Sequence, residues 1–334
     1  MTTDVHRDTT RLQNAINFLG GMDAIDCGFN LGDSQGSSYS ENDGTWYTNI
    51  VNKSAKPFYT LLGNHDTMHY NTATVSGTAE EAFNKMIKPT LGVMGMTDLT
   101  TPYYKILLDD YKIAIVCLNN FDGPSTKNSD GTFVVRRDAE ALSQTQVNWF
   151  INALNEIPSG YHLMVMRHSY PASHEVVNNG WSQTDYSALD HNTLVYDDNE
   201  IVPDIVNAWI NGTSFSKTYT PMSSYSTCPT LTVNANYSSR GAGVFIGHVV
   251  GHSHKDMICK SSKYSNQNII SFCATACDNW QNFCLDLPRD EDTGTQDAIT
   301  TIAIDTSAKK IHLVRIGSDI TFDLTKREYT TITY

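Results

Sequence analysis

The sequence predicts one α/β domain built on a mixed sheet. Two observations carry that reading. Strand-like and helix-like segments alternate through the first half and mostly strands follow, the pattern of a layered α/β protein. Several apolar runs also stop at a glycine or a polar cluster, which places imidazoles, carboxylates and an amide at the tips of buried strands. The 334 residues are 40% hydrophobic, enough to bury a sizeable core in a single domain over residues 1–334.

The elements follow in order. Residues 11–19 have helical spacing, with Leu12, Ala15, Ile16 and Leu19 on one face, and stop at Gly20-Gly21. Residues 29–31 form a short strand that runs into Gly32-Asp33, and residues 58–62 form another that leads into Gly63. Residues 78–87 read as a helix opened by a Thr78…Glu81 capping box. Residues 103–108 and 111–118 pair as a hairpin turning at Asp109-Asp110. A second capping box, Ser143…Gln146, opens a helix whose inner face is Val147, Phe150, Ile151 and Leu154. Strands at 162–166 and 243–250 end at Arg167-His168 and Gly251-His252. The strands at 269–273, 299–304 and 310–316 belong to a strand-rich C-terminal part from about 267 to 334, the last two joined by a hairpin at 306–309. Residues 174–242 differ in being rich in Asn, Ser, Thr, Tyr and Asp, with one helix-like piece near 201–210. They read as a polar insert, either a lid over a site or a surface decoration.

Bulk charge narrows the function. Lysine and arginine total 23 against 36 acidic residues, a formal net charge of −13. Such a surface repels polyphosphate backbones, so nucleic-acid binding is not expected as a main role, whereas divalent cations are attracted. The seven cysteines are odd in number and include no C-x-x-C pair. Free thiols in a reducing compartment are the expectation, with a disulfide among Cys259, Cys273, Cys277 and Cys284 as the alternative. No apolar stretch approaches a membrane span, and no signal region opens the chain. A cytoplasmic or phage-associated protein is expected, with a start that trimming could have shortened.

The polar clusters supply metal-ligand chemistry. Asp4 and His6 are spaced i, i+2, so on an extended chain both point the same way, and His252 and His254 repeat that spacing. Asp33 can share its two oxygens between ions, Asn64 offers a neutral carbonyl, and His168 ends a strand. Each residue alone reads more simply as a turn, cap or packing side chain. Together they make seven donors of mixed hard oxygen and borderline nitrogen, a set suited to manganese, iron, zinc or nickel.

In this order, Asp4-x-His6, Gly32-Asp33, Gly63-Asn64-His65-Asp66, His168 and Gly251-His252-x-His254 resemble the five blocks of the calcineurin-like metallophosphoesterase family. The segment Leu142-Ser143-x-x-Gln146-x-x-Trp149-Phe150 is similar to the helix that often precedes the His168 strand there. The resemblance implies a four-layer α/β/β/α sandwich of two mixed sheets flanked by helices. It implies two divalent or trivalent metal ions, one held by Asp4, His6 and His254, the other by Asn64, His168 and His252, with Asp33 bridging. It further implies in-line hydrolysis of a phosphoester, read as a phosphodiester, by hydroxide bridging the metals. His65 would assist the leaving group and Asp66 would orient its ring. Arg7, Asn119 and Asn120 are candidate substrate contacts. His248 is expected in packing, and His69 and His174 near the mouth.

Two departures stand out. The family carries an apolar strand before its first aspartate, whereas only Met1-Thr2-Thr3 precede Asp4, and the second block reads Gly32-Asp33-Ser34-Gln35-Gly36 without a further acidic residue. A non-catalytic binding or structural module of a phage or cell-surface assembly is therefore the competing reading. A protein phosphatase is a third, with no basic groove in view.

Overall fold

A computed structural model describes residues 1–36, 44–67, 78–129, 133–135, 139–177, 181–182, 193–196, 200–276, 297–317 and 329–334. Its largest sheet has seven strands, ordered Tyr104–Leu108, Ile113–Cys117, His162–Met166, Val244–Val250, Asn268–Ser271, Met257–Ser261 and His174–Val176. The four central strands are parallel. The outer pairs are antiparallel, so the sheet is mixed, as expected. Ile113–Cys117 is buried at every position because both faces of the sheet are covered, which is why this strand is an unbroken apolar run.

Successive strand residues face opposite sides, and two main cores result, with a smaller cluster of Tyr170, Val250, Met257 and Ile269 beside them. On one side Ala114, Val116, Leu163 and Val165 meet Val147, Phe150 and Leu154 of the helix Gln144–Asn155 and Val202, Ile205 and Trp209 of the helix Ile201–Asn211. On the other, Ile113, Ile115, Met164 and Met166 join a cluster that includes Phe29, Leu31, Ile311 and Leu313, with Leu12, Ile16 and Leu19 of the helix Thr9–Gly21. Each fully buried aliphatic or aromatic side chain of this kind contributes about 1.5–3 kcal/mol.

The short start of the chain has a defined place. Gly28–Asn30 pairs in parallel with Phe58–Thr60, and Thr2 bridges Asn30 on the opposite edge. Met1 in turn exchanges backbone hydrogen bonds with Thr300, of 2.8 and 3.3 Å. Thr300 belongs to Ala298–Asp305, the first strand of an antiparallel sheet completed by Lys310–Gly317 and Tyr329–Thr333. Residues 1–6 therefore run beside the Gly28–Asn30 strand and carry Asp4 and His6 to the same edge as Asp33, with Asp4 N–H donating to Gly32 and His6 N–H to Asp33.

Several expectations needed adjustment. The described part of 174–242 is not mainly a polar cover. Its helix Ile201–Asn211 and the hairpin Ser214–Tyr219 with Leu231–Asn236 bury Trp209, Tyr219, Leu231 and Val233 in the outer core. Outward Ser, Thr and Asn of the hairpin gave the stretch its polar composition. The Thr78 capping box forms, but regular α-helix lasts only over Ala79–Ala82 before a π-turn at Phe83–Ile87. Ser143 caps its helix, whereas the Gln146 amide bonds Asn119 N–H and C=O at 2.8 and 2.9 Å instead of closing a box. Among the described residues Cys27, Cys117, Cys228, Cys259 and Cys273 are free thiols, and Cys277 and Cys284 lie outside the described residues. No described helix is long and apolar enough to cross a membrane.

Candidate metal centre

Five segments meet at one edge of the two sheets. Asp4 and His6 come from the chain start, Asp33 from the loop after Gly28–Asn30, and Asn64 and His65 from the turn after Phe58–Thr60. His168 follows His162–Met166, while His252 and His254 follow Val244–Val250. Three overlapping ligand groups form: Asp4, His6 and His254; His6, Asp33 and His65; and Asp33, His168 and His252, with donor atoms in each within 4.8 Å of one another. His254 Nε2 is 3.1 Å from Asp4 Oδ1 and 3.2 Å from His6 Nε2. His168 Nε2 is 3.3 Å from Asp33 Oδ2 and 3.2 Å from His252 Nδ1.

The backbone is bent to achieve this. Among the described residues eight non-glycine residues have positive φ, and six are Asp4, His6, Arg7, Asp33, His252 and His254. The left-handed region disfavours an L-residue by about 1–2 kcal/mol, and Asp and His tolerate it better than branched residues. The expectation that Asp4–His6 and His252–His254 share a side because the chain is extended is therefore corrected: alternate residues are left-handed, at φ +50° and +45°, and +62° and +56°. Such strain persists only where neighbours enforce it. Here His252 N–H donates to Asp4 Oδ2 at 3.0 Å, and Arg7 N–H to Ser34 C=O at 2.9 Å.

Two glycines of the motifs are explained by close approach. A Cβ on Gly63 would stand 2.2 Å from Asp33 Oδ1, and one on Gly251 would stand 1.8 Å from Thr3 Oγ1. Only a hydrogen fits at either point, so each glycine lets a ligand loop press against the next.

The donors are oriented as metal ligands are. His6 Nδ1 and His168 Nδ1 each face a backbone carbonyl, Gln35 at 3.1 Å and Leu31 at 2.9 Å. A proton on each Nδ1 leaves the Nε2 lone pair directed into the cluster. The Asn64 amide oxygen, as placed, lies 3.1 Å from Asp33 Oδ2, 3.2 Å from His168 Nε2 and 3.3 Å from His252 Nδ1, all acceptors. Turning the amide over would satisfy them with N–H groups. A cation among them would satisfy the same lone pairs with the amide as it stands. The residues present thus fit a metal.

Electrostatics agree with that fit. Burial pulls His6 and His252 down to about 3, so both rings are neutral at neutral pH. Burial also opposes charge on His168, but Asp33 and Asp4 outweigh it and hold this ring up at about 9. Burial likewise works against charge on Asp33, and His168 and His65 overcome it and keep the carboxylate well below its usual range.

The remaining predicted residues fall out unevenly. Asp66 is buried and accepts from backbone N–H groups of Gly63 at 2.9 Å, Gln35 at 2.9 Å and Ser34 at 3.3 Å. These bonds tie the Asp33 loop to the Asn64 turn. His65 sits edge-on to His6 with centroids 4.8 Å apart, its Nε2 3.8 Å from Asp33 Oδ2. Arg7 is exposed beside His6. Asn119 and Asn120 are 0% and 3% exposed, and Asn120 donates to Glu140 at 2.6 Å and to Ser169 C=O at 3.4 Å. As placed, they support the strand ends from behind and do not form an open face for substrate. His248 is a packing residue bonded to Gln267 at 2.9 Å, His174 lies on the edge strand His174–Val176, and His69 lies outside the described residues. Thr3 was missed: its hydroxyl donates to Asp4 Oδ2 at 2.6 Å. Its place directly before a ligand aspartate was the available signal.

No protein-family profile matches the chain, and no curated protein does. Among solved structures, a purple acid phosphatase, PPD1, isolated from yellow lupin (Lupinus luteus) seeds aligns over 97% of this chain at 11% identity and a TM-score of 0.41. The alignment covers 49% of that protein, so this chain spans about half its length.

Proposed function

We propose that this chain is a metal-dependent phosphoester hydrolase of the calcineurin-like metallophosphoesterase kind, with α/β/β/α layering. The observation that carries the proposal is convergence. Blocks spread from residue 4 to residue 254 bring their carboxylates, imidazoles and amide together in overlapping groups linked through His6 and Asp33. The two cores on opposite faces of the large sheet support the layering.

Asp4, His6 and His254 would hold one cation, and Asn64, His168 and His252 a second, with Asp33 common to both. Two such cations supply positive charge for phosphoryl oxygens and acidify a water at neutral pH. The chain's own residues do the rest. Nδ1 bonds to Gln35 and Leu31 fix the His6 and His168 rings. Asp66 holds the two loops in register. His65 is partly open to solvent and, in this reading, delivers a proton to the departing alkoxide oxygen. Arg7 would meet the phosphate from the exposed side. We take a phosphodiester as the substrate class.

The test is hydrolysis of p-nitrophenyl phosphate and bis-p-nitrophenyl phosphate in parallel, on chelator-stripped protein before and after Mn²⁺ addition. Activity is expected only with metal and greater on the diester. His65→Ala should lower it by about 10²–10⁴-fold with metal content unchanged. Equal activity without metal, or an active His65→Ala, overturns the hydrolase mechanism, and a monoester preference overturns the diester reading.

A further inference from the structure

The middle strand of the C-terminal sheet, Lys310–Gly317, turns Ile311, Leu313 and Arg315 to the interior. Ile311 and Leu313 join the core beside the large sheet. The same period calls for a third apolar side chain, yet the position holds an arginine that is 5% exposed. A buried charge is costly unless it is paired. Here two acceptors meet it. Arg315 Nη2 donates to Asp256 Oδ1, and Arg315 Nη1 donates to Cys273 Sγ at 3.0 Å. Burial works against the charge of the guanidinium, and Asp256 and Cys273 outweigh it, so the group titrates above its ordinary range.

Both acceptors belong to segments that carry or brace a ligand. Asp256 stands two residues after His254, in the connection between Val244–Val250 and Met257–Ser261. Cys273 follows the strand Asn268–Ser271 and stands two residues before Thr275. Thr275 Oγ1 accepts from Thr3 N–H at 3.1 Å, and Thr275 N–H donates to Thr3 C=O at 2.8 Å. Ala276 N–H donates to Asp4 C=O at 3.2 Å. The two segments also touch directly, through Ser253 Oγ and Ser271 Oγ at 2.8 Å and through Cys273 N–H and Asp256 Oδ1 at 3.1 Å. The planar fork of a guanidinium suits two acceptors at a fixed separation, which a lysine ammonium does not enforce.

We propose that Arg315 is a positioning residue for the first ligand group, one arm of its guanidinium holding the His254 connection through Asp256 and the other holding the brace of Asp4 through Cys273. The C-terminal sheet then sets how closely Asp4 and His254 stand, with Oδ1 and Nε2 3.1 Å apart, although none of the ligands belongs to that sheet. The consequence for metal rests on the metal-centre reading, whereas the hold on the two segments does not.

The test compares Arg315→Met and Arg315→Lys with Leu313→Ala, which weakens the same strand but keeps the guanidinium. All are studied at a temperature where circular dichroism shows them folded. In metal-free protein, amide exchange at Thr275 and Ala276 should quicken by about tenfold in Arg315→Met, less in Arg315→Lys and hardly in Leu313→Ala. Titration calorimetry with Mn²⁺ should show one of two binding events weakened by about 10–100-fold in Arg315→Met and unchanged in Leu313→Ala. Should Arg315→Met fail to fold, Asp256→Asn replaces it with the same expectations, since it keeps the shape and removes the charge that the guanidinium grips. Unchanged exchange at Thr275 and Ala276 overturns the proposal. So does equal weakening of Mn²⁺ binding by Leu313→Ala, because general loosening of the sheet would then explain the loss. Quickened exchange in a chain whose wild type binds no Mn²⁺ upholds the hold on the two segments and overturns the metal-centre reading instead.

Discussion

Replacing Gly251 by alanine tests the packing beneath the first ligand group. The new Cβ would stand 1.8 Å from Thr3 Oγ1, 2.8 Å from Thr3 Cβ and 2.9 Å from Asp4 Oδ2. Carbon contacts are comfortable near about 3.5–4 Å, so the hydroxyl must retreat by about 1.5 Å or more. It has little freedom to do so. Thr3 donates to Asp4 Oδ2 at 2.6 Å, its N–H meets Thr275 Oγ1 at 3.1 Å, and its C=O accepts from Thr275 N–H at 2.8 Å. The displacement falls on Asp4, whose Oδ1 is 3.1 Å from His254 Nε2. Overpacking of this kind destabilises by about 1–3 kcal/mol. Loss of a support behind a ligand lowers metal affinity by about 10–100-fold. Titration calorimetry with Mn²⁺, together with metal counted per chain, reads the result. One of two binding events should weaken, and adding Thr3→Ala to Gly251→Ala should recover part of it by removing the nearest clash. Gly21→Ala, whose Cβ meets nothing within 4 Å, is the control. Wild-type affinity at both sites in Gly251→Ala would refute the argument.

Further expectations concern stability. Burial pushes the Asp122 carboxyl from 3.8 up to about 6, against bonds from Ser143 and Gln146 that favour its charge. A raised acid contributes stability that is complete below pH about 4 and lost as pH rises through about 6. Two units at about 1.36 kcal/mol each give about 3 kcal/mol. Asp122→Asn should therefore stabilise by up to that amount at pH 8 and hardly at all at pH 3.5 in urea titrations, and a constant gain at both pH values would contradict this. Asp66→Ala removes the acceptor for three backbone N–H groups and should lower stability by about 2–4 kcal/mol, with metal affinity falling alongside. An unchanged denaturation midpoint would show that those bonds are replaceable. Mn²⁺ at about 100 times its dissociation constant should stabilise the chain by about 2.7 kcal/mol, and a melting temperature indifferent to metal would argue against a folded-state site.

Much of the scaffold was legible because its signals are local. The parallel strands His162–Met166 and Val244–Val250 are dense apolar runs, and the hairpin Tyr104–Leu108 with Ile113–Cys117 has its turn written between two such runs. The carboxylates and imidazoles that the structure brings together were legible for a similar reason, since such groups stand out after apolar runs. What the sequence left unmarked depended on tertiary surroundings. The helix Ile201–Asn211 was legible as a helix-like piece, but its place in the outer core was not, because the neighbouring hairpin turns Ser, Thr and Asn to solvent. Asn119 looked open at a strand end, yet Gln146 brings its own helix over the Asn119 backbone. Asp66 sits next to His65 in sequence, yet the backbone amides of Gly63 and Gln35 converge on its carboxylate. The left-handed backbone of the ligand residues also had no sequence marker, since Asp and His reach that region without glycine.

The way the centre is sewn together has a consequence for when it can exist. His6 and His254 are 248 positions apart, Thr3 and the Thr275 that braces it 272, and Met1 and Thr300 299. A chain leaving the ribosome at about 5–20 residues per second carries Asp4 and His6 for about 12–50 seconds before His254 emerges. During that interval the first residues have their neighbour Gly28–Asn30 but neither Thr275 and Thr300 nor the imidazoles of His252 and His254. On the proposed reading, metal uptake would be an event of the finished chain, since products that stop short of His254 cannot bring Asp4, His6 and His254 together however well their own part folds. Closure over such sequence distances is also slow, which makes docking of the N-terminal residues a late step of folding.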